Sequence, residues 1–95
     1  MSDARELKTY AKNLENISTT DNVAFMEAIK TGILLGIASL IDIAHTFSVS
    51  RPTVKRWENG TSAPHPLMRP HVFKWLQRRA FRKIRETSPS KPEML

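Results

Sequence analysis

Between Ser39 and Gly60 the chain carries two helix starts and two helix stops in quick succession. Ser39 stands three residues before Asp42, the spacing of a capping box, and opens a short helix that runs to about Phe47. Val49 follows in a tight connection. Ser50 can cap a second helix, and Pro52 falls in its first turn, where a missing N–H costs nothing. Asn59-Gly60 is a left-handed stop. This stretch has room for two short helices and a tight turn, and little else. Leu40, Ile43, Ala44 and Phe47 on the first helix can meet Val49, Val54 and Trp57.

The flanking sequence reads as helix too, and no strand pattern or internal repeat emerges. Leu7, Tyr10, Ala11 and Leu14 recur at i, i+3, i+4 and i+7 in a helix over about 3–16, and Ile17 extends the stripe. This stripe is read as core, with a dimer interface as the alternative. A second helix follows the capping residues Thr19, Thr20 and Asp21 and ends near Gly36. It carries Val23, Phe25, Met26, Ile29, Ile33 and Leu34. TSAPHPLMRP, with three prolines, is a loop or short turn. A final helix is expected from near Pro70 to about Glu86, with Phe73, Leu76, Ala80 and Ile84 inward. Arg78, Arg79, Arg82, Lys83 and Arg85 should mostly face outward. The expected fold is therefore all-α: a compact bundle of about five helices containing a helix-turn-helix. Residues 1–86 form one domain, and 87–95 have the composition of a frayed tail.

Charge is concentrated in one segment. The chain has 95 residues and a net charge of +6. Residues 51–85 hold ten Lys/Arg against Glu58 alone, a net of +9, while residues 1–50 sum to −2. A patch this basic favours a polyanionic partner such as nucleic acid. The longest apolar run, GILLGIASLIDIA, is broken by Gly36, Ser39 and Asp42, so no membrane span is expected. MSDARELK lacks the apolar core of a signal peptide, and a cytoplasmic protein is the plain expectation. There is no cysteine. His45, His65 and His71 share no metal-binding spacing, so neither a metal nor a cofactor is expected. No Ser/His/Asp arrangement or glycine-rich phosphate loop is recognisable, which leaves an enzyme without a supporting residue.

On a helical wheel with Val54 at zero, Trp57 and Glu58 lie within about 60° of it, while Lys55, Asn59, Pro52 and Arg56 occupy an arc at roughly 100–200°. The helix over 50–59 thus has an apolar back and a cationic, hydrogen-bonding front. Arg51 and Thr53 flank that front. Trp57 is read as core. Glu58 is read as structural, tied to a nearby arginine or a backbone N–H. A helix of this width fits a DNA major groove.

The run SLIDIAHTFSVSRPTVKRWENGTSAP resembles the phage-repressor/Cro family, also called the xenobiotic-response-element (XRE) family. Ser39, Ile43-Ala44, Val49-Ser50, Thr53-Val54, Trp57-Glu58-Asn59-Gly60 and Pro64 match its pattern in register. The resemblance implies a lambda-repressor-like helix-turn-helix with Ala44, Val49, Val54 and Trp57 as its structural core. It implies base-edge contacts from Ser50, Arg51, Pro52, Lys55 and Arg56. Contacts to the DNA backbone would come from Thr53, Asn59, Thr61, Arg69 and Lys74. Pro52 departs from the family, because it can offer a base only apolar contact. Ser48 stands where the family commonly carries glycine in the turn. The last helix is longer and more basic than usual, and the helix over 3–16 lies outside the pattern.

The function implied is a sequence-specific regulator of transcription that binds double-stranded DNA, of bacterial or phage type, acting as a homodimer. Two alternatives stay open. One is an antitoxin or similar module whose partner is a toxin or another protein. The other is a non-specific nucleic-acid binder using the basic helix over 69–85.

Overall fold

The computed structural model describes residues 4–87. Five helices follow one another: α1 (Ala4–Leu14), α2 (Asn22–Leu34), α3 (Leu40–Thr46), α4 (Arg51–Asn59) and α5 (Arg69–Thr87). No strand occurs among the described residues. The chain is all-α, as its apolar periodicities predict, and no described helix is long and apolar enough to cross a membrane. The expected tail over 87–95 lies outside the described residues, except for Thr87, which closes α5.

Polar side chains place the helix ends. Asp21 Oδ1 accepts from the Ala24 N–H at 2.9 Å and caps α2. Ser39 and Asp42 form the full capping box on α3, with reciprocal bonds of 3.0 and 3.1 Å. Each such cap satisfies helix donors that have no partner within the helix.

The core gathers around Phe25 of α2, which is fully buried. Trp57 of α4 meets its ring edge-on at a centroid distance of 5.7 Å, and Phe73 of α5 packs at the same distance, tilted by 50°. One aromatic side chain therefore joins three helices, in the offset geometries that ring quadrupoles favour. Leu7, Tyr10, Ala11 and Leu14 are all buried, and α1 packs along α5. The stripe on α1 is thus core within one chain rather than a surface for a second copy. Gln77 of α5 reinforces the pair by donating to Ala11 O at 2.9 Å.

Tyr10 links α1 to α2. The Tyr10 hydroxyl donates to Ala28 O at 2.6 Å, and burial pushes its pKa well above the ordinary value. A Cβ on Gly32 would lie 2.7 Å from that hydroxyl, so the site needs glycine. Two of the apolar residues of α2 point outward: Val23 is 66% exposed and Leu34 is 82% exposed. They fall at the two ends of the helix, where the bundle no longer covers all sides.

Candidate nucleic-acid interface

The α3–α4 hairpin begins at Phe47, the C-cap of α3. Ser48 has φ of 55°, a left-handed conformation that costs a non-glycine residue about 1–2 kcal/mol. The turn closes when the Val49 N–H reaches back to Ala44 O at 3.0 Å. Of the four residues expected to hold the motif together, Val49 is half-buried and Ala44, Val54 and Trp57 are buried.

Ser50 caps α4 through its hydroxyl, which accepts from the Thr53 N–H at 3.2 Å. Pro52 sits in the first turn of α4, as its ring geometry favours. Gly60 closes the helix at φ of 81°. The Thr61 N–H then returns to Arg56 O at 3.0 Å. A Cβ on Gly60 would also meet Met26 Sδ at 2.6 Å, a contact that the flexible methionine must move to relieve.

Pro52, Lys55, Arg56 and Asn59 lie exposed on α4 away from Val54 and Trp57, and Arg51 is exposed at the flank of that front. Their polar groups differ in availability. The Arg51 guanidinium has no hydrogen-bond or ion-pair partner among the described residues. Arg56 Nη2 donates to Thr53 Oγ1 at 3.2 Å, and Thr53 Oγ1 lies 2.8 Å from Ser50 Oγ. This run of side chains at i, i+3 and i+6 holds the Arg56 fork along the front of the helix. Ser50 and Thr53 spend their hydroxyls on the cap and on this run. Lys55 pairs with Glu58 at 3.2 Å, with the lysine largely exposed. The partner of Glu58 is therefore a lysine, not the arginine or backbone N–H expected. Thr61 Oγ1 donates to Arg56 O at 3.3 Å.

Arg69 corrects the sequence reading. Expected to contact a phosphate, it is only 5% exposed. Its Nε donates to Pro64 O at 2.8 Å and its Nη1 to Thr19 O at 2.9 Å. The guanidinium carbon also lies 5.6 Å from the Phe25 ring centroid. Arg69 clamps two loops onto the core, and its donors face inward. Arg79, placed outward with its neighbours, is also partly withdrawn. It donates to Ile37 O at 3.0 Å, pairs with Asp42 at 3.2 Å and stacks over Trp75 at 5.0 Å. Asp42 has its pKa lowered, first by the Ser39 backbone N–H it accepts and further by the Arg79 charge. Lys74 is exposed, but it stands on α5 and not on the hairpin.

Two hairpin residues escaped the sequence reading. Ile41 and His45 line a shallow cleft of about 430 Å³ with Ala44, Ser48, Val49 and Arg51. Ile41 is 58% exposed. The signal was available on the helical wheel, where Ile41 falls outside the inward arc of Ile43 and Ala44. Among the described residues no group of three His, Asp or Glu side chains could hold a metal ion.

No family model, curated protein or solved structure matches this chain.

Proposed function

We propose that the chain is a sequence-specific double-stranded DNA-binding protein and a repressor-like regulator of transcription, with α4 as its reading helix. One observation carries this reading. Arg56 on the front and Arg51 at its flank are both exposed on a short helix whose back is anchored by Val54 and Trp57 and whose first turn is capped. With its side chains an α-helix is about 10–12 Å across, which a major groove about 12 Å wide admits. A guanidinium can grip guanine O6 and N7 together, and each such pair discriminates by about 1–3 kcal/mol. Pro52 adds an apolar face suited to a thymine methyl. Lys55 supplies charge at the same front. The resemblance of 39–64 to the phage-repressor/Cro pattern supports the same reading.

The test is selection from a randomised double-stranded DNA pool at about 0.15 M salt, an ionic strength that screens contacts beyond roughly 8 Å. The native protein is expected to enrich one motif. The Arg51→Ala, Arg56→Ala double variant, folded by circular dichroism, should lose that enrichment. A palindromic motif would identify a dimer. If native and variant enrich nothing, and bind equally, α4 is scaffolding and the reading fails.

A further inference from the structure

We propose that the outward face of α5 is a second phosphate-binding surface, one that grips the backbone of double-stranded DNA without regard to sequence. This rests on the reading of the chain as a DNA-binding protein, but it uses a different helix and a different kind of contact. Lys74, Arg78, Arg82 and Arg85 follow one another at intervals of three and four residues, so they share one side of the helix. All four are exposed. At 1.5 Å per residue they span about 16 Å, and a DNA strand places about five phosphates along that length of duplex axis.

Three features separate this face from an ordinary solvated one. First, residues 59–85 contain no Asp or Glu. The exposed residues of α1 mix Arg5, Glu6, Lys8 and Lys12, whereas the stripe on α5 repeats one sign at the spacing where like charges repel. Second, none of its four cations forms an ion pair with a carboxylate among the described residues. Arg69 is turned into the core on another side, and Arg79, beside the stripe, is taken up by Ile37 O and Asp42. Third, the stripe borders a shallow cleft lined in part by Trp75 and by Phe81, which is 43% exposed. Guanidinium planes beside apolar rings are more weakly hydrated than ammonium groups and match phosphate bidentately. A polyanion of regular charge spacing complements the whole row.

The experiment follows binding of the full chain to a 30-base-pair duplex of arbitrary sequence by fluorescence anisotropy, across about 50–200 mM salt, the range over which counterion release dominates. Arg78→Gln, Arg82→Gln, Arg85→Gln is expected to reduce the slope of log K against log salt by up to about 2.7, at roughly 0.9 per lost phosphate contact. Affinity should fall at least tenfold at the lowest salt, and equally for every duplex sequence. Replacing the same three arginines by lysine should restore most of the slope, because charge count sets counterion release. Since all three positions are exposed, circular dichroism should be unchanged. An unchanged slope and affinity in the Gln variant overturns the proposal. So does a change in sequence preference, or a loss confined to vesicles of anionic phospholipid with duplex binding intact. The α4 reading fails separately. In that event the native protein enriches no motif, while the salt slope still reports on α5.

Discussion

Replacing Arg69 tests the structure where it departs most from the sequence reading. Arg69→Ala removes two hydrogen bonds from a charged donor, to Pro64 O at 2.8 Å and Thr19 O at 2.9 Å. Bonds to charged groups are worth about 1.5–3 kcal/mol each. Both carbonyls belong to loops that water can re-enter, which favours the lower figure. Loss of the guanidinium from the face of Phe25 adds about 1 kcal/mol. The expected destabilisation is about 4 kcal/mol, a fall in Tm on the order of 16–32 °C for a domain of this size. Arg69→Met keeps the apolar stem and lacks the donors, so it should lose most of the same stability. Arg69→Lys should recover about half, since one ammonium cannot serve two carbonyls on opposite sides. Urea and thermal unfolding without DNA measure the loss. Duplex affinity, taken where each variant is still folded, should stay within about twofold, because a residue remote from phosphate alters no counterion release. An unchanged urea midpoint with a clearly weakened duplex affinity would refute the reasoning and return Arg69 to the DNA surface.

Other outcomes follow from single contacts. Asp42 has a depressed folded pKa, so its contribution is present above its ordinary value of 3.8 and fades as pH falls through that value and below. Asp42→Asn should therefore flatten the loss of stability between about pH 4 and pH 2 seen in the native protein, and an identical acid limb in both would sink the assignment. Asp42→Ala removes the capping box and the Arg79 pair, and should cost about 1–2 kcal/mol at pH 7 by thermal melting. Ser48→Gly relieves a left-handed residue in the turn, and should raise stability by about 0.5–1 kcal/mol while leaving duplex binding unchanged. Gly60→Ala combines a strained φ with a contact on Met26, and should lower stability by about 1–2 kcal/mol in the same assay.

How much of the candidate interface was legible in the sequence depended on distance along the chain. The caps at Ser39 and Ser50, the stop at Gly60 and the inward pair Val54 and Trp57 all depend on partners within a turn or two, or on helical periodicity. Those are the scales on which sequence carries direct physical information. The Ser50–Thr53–Arg56 run is local too, and could have been anticipated from its i, i+3 spacing.

The sequence by itself determined five helices, their approximate ends, and an all-α fold whose basic charge lies in the second half. It also determined which face of α4 could be polar, because hydrophobic period and helix geometry leave no other arrangement. Only the tertiary structure decided which cations are free to meet a partner. Arg69 and Arg79 look in sequence like their neighbours Lys74 and Arg78. One finds the carbonyl of Thr19, fifty residues away, and the other finds Ile37 and Asp42. A guanidinium carries five donors and a long apolar stem, so it can serve either as a surface charge or as an internal clamp. The choice is made by carbonyls that loops leave unpaired, and those positions exist only once the helices have packed.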